Sequence, residues 1–168
     1  FSCIPFYFCE GIMNDTSLIY PINENGEILL GKKKRGMGVQ KWNGFGGKVK
    51  EGETMRECAV RELYEECGLL ANKDDLEIVA DLYFRNIEGM EWSHAGIVYI
   101  GRKWKGTPLC SDEMEPQWFS ADTLPFESMW EADIHWLPMI LNGQKIRGII
   151  TFDGDGETVI NYDFLEIK

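Results

Sequence analysis

The alternation of apolar and polar positions divides the chain into short strands and two helices. Leu18, Ile19 and Tyr20 open a strand, Asn25-Gly26 is a hairpin turn signal, and Glu27-Ile28-Leu29-Leu30 returns. Apolar positions over 76–84 and 95–100 read as two longer strands separated by a loop at Glu88-Gly89, and 116–119 as a short one. Between 129 and 141, Trp130, Ile134, Leu137 and Leu141 recur at helical spacing, and Pro138 is expected to kink this helix or limit it to a short piece. Residues 146–152 and 158–165 flank Asp153-Gly154-Asp155-Gly156 as a final hairpin. Strands with two helices between them predict an α/β (α+β) sandwich.

The clearest helix follows Thr54. Thr54 with Glu57 three residues on forms a capping box, and Gly68 is a C-terminal stop. Ala59, Val60, Leu63 and Cys67 supply an apolar stripe. Beside it, Glu62, Glu65 and Glu66 occupy i, i+3 and i+4 and share one face. Such carboxylates repel one another. They form either a solvated acidic face or a set of oxygen ligands for a hard divalent cation, Mg²⁺ above all, which shares its ligands with substrate phosphates.

Charge and length narrow the choice. At 168 residues the chain suits one well-buried domain, expected over 17–168, with residues 1–16 an extension, a processed end or a cloning remnant. The net charge of −11 argues against general nucleic-acid binding. Lys32-Lys33-Lys34-Arg35 is a single basic island, read as a phosphate contact rather than a solvated turn because it runs into a glycine-rich loop. In that loop, Trp42-Asn43-Gly44-Phe45-Gly46-Gly47-Lys48, three glycines in four positions let backbone approach a phosphate or metal, and Lys48 adds a cation. No apolar run is long enough to cross a bilayer. The opening FSCIPFYFC lacks the basic start and cleavage site of a signal peptide. Five irregularly spaced cysteines read as free thiols in a reducing cytoplasm.

Gly47, five residues, Glu53, seven residues, Arg61-Glu62-Leu63, one residue, Glu65-Glu66, one residue and Gly68-Leu69 fill every fixed position of the Nudix box, so the chain resembles a Nudix hydrolase. Beyond the box, Lys34-Arg35-Gly36, the 42–49 loop, Ser111-Asp112-Glu113-Met114, Trp118-Phe119, Pro125-Phe126, Met129-Trp130, Asp133 and Trp136 are similar to the MutT-homologue branch, the oxidised purine nucleoside triphosphatases. The resemblance implies an α/β/α sandwich around a mixed sheet. It implies hydrolysis of nucleoside triphosphates such as 8-oxo-dGTP or 2-hydroxy-dATP to the monophosphate and pyrophosphate, cleansing the nucleotide pool after oxidative damage.

Roles follow from the same resemblance. Glu62, Glu65, Glu66, Glu113 and the Gly46 carbonyl would hold Mg²⁺, with Mn²⁺ as a substitute, and Glu66 or Glu113 would accept the attacking water's proton. Arg61 would orient Glu53 through a charge-assisted hydrogen bond. Lys33, Lys48, Phe45, Gly46 and Gly47 would meet the substrate, and Asn43, Trp130 and Asp133 the base, Trp130 by stacking. Trp136 belongs either to the pocket or to the core, and His94 to the pocket or to its strand. The branch has two adjacent aspartates where this chain has Ala132 and Asp133. Losing one would leave a polar edge of the base unpaired at roughly 1–3 kcal/mol unless another group serves it. Met37 replaces a loop aromatic. The alternatives are hydrolysis of a methylated purine triphosphate, a dinucleoside polyphosphate (to which Tyr83 points) or a capped RNA end, and a non-catalytic nucleotide-binding module. A monomer is expected, bound to neither membrane nor nucleic acid.

Overall fold

A computed structural model describes residues 15–89 and 92–168. Its main sheet has six strands: β1 (Thr16–Pro21), β4 (Phe45–Lys48), β5 (Glu77–Asn86), β6 (His94–Gly101), β8 (Ile146–Phe152) and β9 (Val159–Glu166). They run in the order β4-β1-β6-β5-β8-β9. The β1–β6 and β5–β8 pairs are parallel and the rest antiparallel, so the sheet is mixed, as expected. A second, three-stranded sheet holds β3 (Trp42–Asn43), β2 (Glu27–Lys33) and β7 (Met114–Ser120).

Successive residues of β1 point to opposite faces, and each face has its own core. Ile19 packs with Leu29, Phe45, Leu63, Cys67 and Tyr99 beneath helix α1 (Met55–Cys67). Tyr20 packs with Leu82, Val98, Trp136, Leu137 and Ile150 beneath helix α2 (Asp133–Leu141). Helix α1 has the foreseen caps: Thr54 accepts from the Glu57 amide, Glu57 reaches back to Thr54, and Gly68 sits at φ 79°.

Four expectations change. The Asn25-Gly26 turn forms, with Gly26 at φ 77°, but β1 and β2 enter different sheets, and the ladder beside the turn is a single Ile22–Ile28 bridge. Helix α2 begins at Asp133 because the turn before it is closed by Asp133 and His135 amides donating to the Trp130 and Ala132 carbonyls. Trp130 therefore stands ahead of the helix. Its buried stripe is Asp133, Trp136, Leu137 and Ile140; of the expected positions Leu137 is buried and Leu141 packs on the core, while Ile134 is 52% exposed. Pro138 lies inside this nine-residue helix. Thr16, assigned to the extension, is the first residue of β1 and pairs with both Lys48 and Gly96.

No described helix is long and apolar enough to cross a membrane. Cys58, Cys67 and Cys110 are free thiols; Cys3 and Cys9 lie outside the described residues.

Candidate active site

Helix α1 presents Glu62, Glu65 and Glu66 to three environments. Glu66 is 2% exposed and accepts the Gly46 amide at 2.9 Å. Burial pushes its carboxyl up to about 8, against the Gly46 bond, and nearby Glu62 and Glu113 add repulsion. Glu62 is also raised, by burial first, while Arg61 at 2.8 Å opposes the rise. Glu65 is half exposed and held by Arg61 at 3.1 Å. Arg61 grips both oxygens of Glu53, which holds that carboxyl down to about 2. As the sequence led us to expect, Arg61 is occupied by glutamates.

The glycines bring backbone against these carboxylates. A Cβ on Gly47 would lie 2.5 Å from Glu62 Oε1, and one on Gly46 would collide with the Ser17 carbonyl. Among the described residues no three carboxylate, His or Cys groups converge closely enough to cage an ion unaided. The donors present nevertheless fit a hard divalent cation: they are oxygens, two of them are carboxylates disfavoured by burial, and glycine leaves the space beside Glu62 clear. A cation of that kind completes its shell with water and substrate phosphates.

The basic island divides. Lys33 lines the cavity, as does Lys48. Lys34 donates instead to the Ser111 carbonyl at 2.7 Å, and Arg35 pairs with Glu113 at 3.0 Å. Glu113 thus sits nearly half exposed in the bend just before β7, off the cavity wall but close enough to act electrostatically on Glu66. Phe45 does not meet the cavity: its side chain is wholly buried with Met114 beside Gly31, because β4 turns it toward α1.

One cavity of about 840 Å³ runs from Glu66, Gly46, Gly47, Lys33 and Lys48 to Asn43, Trp130, Ala132, Asp133 and Trp136. Asn43 Oδ1 accepts the Gly44 amide at 2.8 Å. Lys41 lies over the Trp130 ring at 5.2 Å, and Gly38, at φ 75°, presses so close that a Cβ there would be 2.7 Å from Trp130 Cζ2. Asp133 is 4% exposed and pushed up to about 7, chiefly by burial; the Trp136 indole, a backbone hydrogen bond and Lys41 offset part of this. Trp136 is both pocket and core: it lines the cavity at 1% exposure.

His94, left between pocket and strand, lines the cavity, as does Met37, whereas Lys41, Phe84, Asn86, Trp92 and the final hairpin were not foreseen there. Phe84 stacks on His94 at 5.0 Å, and both line the cavity; burial holds the His94 imidazole below its ordinary range. Lys41, Asn86 and the final hairpin's Gly154 to Glu157 also contribute, and Met37 and Trp92 stand at the rim, 68% and 61% exposed. No local pattern marks these residues; the parallel β5–β8 pairing sets Asn86 against Phe152 and so brings in the hairpin that follows β8.

Comparison with known proteins agrees with this architecture. Residues 14–140 match the NUDIX domain. The chain is 41% identical to the oxidized purine nucleoside triphosphate hydrolase of Danio rerio, over 85% of this chain and 89% of that one. It is 42% identical to the protein of the same name from Mus musculus, over 83% and 87%. Among solved structures, a MutT protein from Bacillus halodurans superposes with a TM-score of 0.74 at 20% identity, covering 89% of this chain and 96% of that one. The chain belongs to the NUDIX family.

Proposed function

We propose that this chain is a Mg²⁺-dependent pyrophosphohydrolase of purine nucleoside triphosphates, with oxidised purines such as 8-oxo-dGTP as the preferred class. One observation carries the reading: a single cavity joins the carboxylate end of α1 to a buried acid near a half-buried tryptophan, Trp130. Its volume lies within the range of small-molecule sites. Two relatives at 41% and 42% identity act, by name, on oxidized purine nucleoside triphosphates.

Glu62, Glu66 and the Gly46 carbonyl would hold the ion, with Glu65 and Glu113 at the edge of its reach. When bound, Mg²⁺ would supply charge neutralisation for the phosphoryl oxygens and lower the pKa of a water. The chain's own groups do the remainder. Lys33 and Lys48 draw the triphosphate to an acidic protein, and Trp130 stacks the base while Asn43 and Asp133 read its edge. Of the two proton acceptors, Glu66 is on the cavity wall, whereas Glu113 is held aside by Arg35. Arg61 fixes the box by holding Glu53, Glu62 and Glu65 together.

Residues 17–168, with Thr16, form the catalytic domain and act as a monomer without membrane or nucleic acid. Free thiols on the described residues favour a reducing compartment, the cytoplasm. Tyr83, which pointed to a dinucleoside polyphosphate, does not line the cavity. The test is a kcat/KM panel with Mg²⁺ over 8-oxo-dGTP, 2-hydroxy-dATP, O6-methyl-dGTP, dGTP, dATP and diadenosine tetraphosphate. The oxidised purines should lead; preference for the dinucleotide overturns the reading, and no turnover of any supports a binding module.

A further inference from the structure

Two consecutive glycines, Gly46 and Gly47, form the backbone that lies against the carboxylates of α1. The Ser17 carbonyl and Glu62 occupy the space their side chains would need. Glycine is also the freest of residues, so such a pair keeps a carbonyl in one place only if groups outside it hold the backbone. Its strand, β4, is an edge of the main sheet and packs against α1.

Helix α1 grips the pair at both ends. From its last turn, Glu66 accepts the Gly46 amide at 2.9 Å. From its first turn, Cys58 donates its thiol to the Gly47 carbonyl at 3.5 Å. The peptide between the two glycines, whose carbonyl belongs to Gly46, is thus bracketed by one helix side chain before it and one after.

The surroundings of Cys58 give its proton that direction. The side chain is wholly buried. The Ser17 hydroxyl, from β1 and itself 2% exposed, donates to the sulfur at 3.1 Å, and Arg61 Nη2 lies 3.6 Å from it. Burial raises the thiol's pKa, so it keeps its single proton to give. Glu53, a second acceptor nearby, already has Arg61 on both oxygens and the Lys50 amide on one. Cys67, the other buried thiol of α1, instead turns back to the Leu63 carbonyl of its own helix at 3.3 Å.

We propose that Cys58 is a positioning residue of the hydrolytic site: oriented by Ser17, its thiol fixes the Gly46–Gly47 backbone and keeps the Gly46 carbonyl available to a cation. This inference rests on the proposed reading of that carbonyl, Glu62 and Glu66 as the Mg²⁺ site.

Cys58→Ala and Cys67→Ala each remove one buried sulfur from the same helix, so the second controls for lost packing. In the full chain without metal or nucleotide, amide hydrogen exchange at Gly46 should quicken about 2- to 10-fold in Cys58→Ala, the equivalent of one hydrogen bond. Cys67→Ala should keep the wild-type rate, and Ser17→Ala should move in the direction of Cys58→Ala. Mg²⁺ titrations followed by Tm, without nucleotide, should show the midpoint raised by a similar factor in Cys58→Ala and not in Cys67→Ala. In turnover the defect should appear at low Mg²⁺ and vanish at saturation, which a general loss of packing would not produce. Unchanged Gly46 exchange in Cys58→Ala, an equal change in both cysteine variants, or an unmoved Mg²⁺ midpoint overturns the inference. Absence of any Mg²⁺ response in wild type overturns the metal reading itself; quickened exchange confined to Cys58→Ala would then still support the thiol's hold on the loop.

Discussion

Arg61 holds both oxygens of Glu53, with Nε 2.6 Å from Oε1 and Nη2 3.0 Å from Oε2, while its other nitrogen reaches Glu62 and Glu65. One guanidinium thus ties the loop before α1 to two carboxylates upon it. Its planar fork suits the paired bonds, which a lysine ammonium cannot reproduce. Arg61→Ala should destabilise the fold by about 2 kcal/mol, the value of a hydrogen-bonded charge. The loss should depend on pH. Glu53 is depressed from near 4.5 to about 2, so its contribution is complete above 4.5 and lost as pH falls through 2. Thermal unfolding from pH 2 to 7 should therefore show wild type and variant diverging as pH rises; parallel curves would contradict the pairing.

Glu66 behaves in the opposite sense. Its folded value of about 8 lies above its ordinary 4.5, so without a cation it opposes folding progressively as pH rises from 4.5 through 8. Asp133 adds a similar slope that ends near 7. In chelator, Glu66→Gln should unfold at a higher temperature than wild type at pH 8.5, and the difference should shrink toward pH 5. Millimolar Mg²⁺ should raise wild-type Tm and leave the variant nearly unmoved. Turnover by Glu66→Gln should fall at least 10²-fold; near wild-type activity would remove Glu66 from the metal site.

Trp130 packs against Gly38, at φ 75°, and has the Lys41 ammonium over its ring. Trp130→Ala should raise KM about 5- to 150-fold, the range of one base–aromatic stack. Gly38→Ala is the sharper probe, since its methyl would both strain the turn and displace the indole. Steady-state kinetics should show KM rising with kcat largely kept. A fall in kcat alone would place Trp130 away from the base.

Ala132 is 2% exposed and lines the cavity beside Asp133. Ala132→Asp should change the kcat/KM ratio between 8-oxo-dGTP and 2-hydroxy-dATP by about tenfold. It should also lower Tm, because a second carboxylate would be buried next to the first. An unchanged ratio would mean that this position does not set base preference.

How much of this was legible in the sequence depended on distance along the chain. The capping box, Gly68 and the Arg61–Glu53 pairing lie within sixteen residues of one another, and local spacing was enough to read them. Phe45 was misread because its neighbours are glycines of the binding loop, and only strand alternation turns its ring toward α1. The basic island looked like one feature in sequence, yet Lys33 ends β2 facing the cavity, while Lys34 and Arg35 meet partners 77 and 78 positions away.

Gly44 is the lone residue between β3 and β4, and those two strands belong to different sheets. Asn43 and Gly46 are therefore three steps apart along nearly extended chain, about 10 Å. A base gripped at Asn43 would meet the carboxylates at a set depth along its phosphate tail. The loop would then act as a ruler as well as a cradle: lengthening it by one residue would move the cut along the polyphosphate while leaving the choice of base alone.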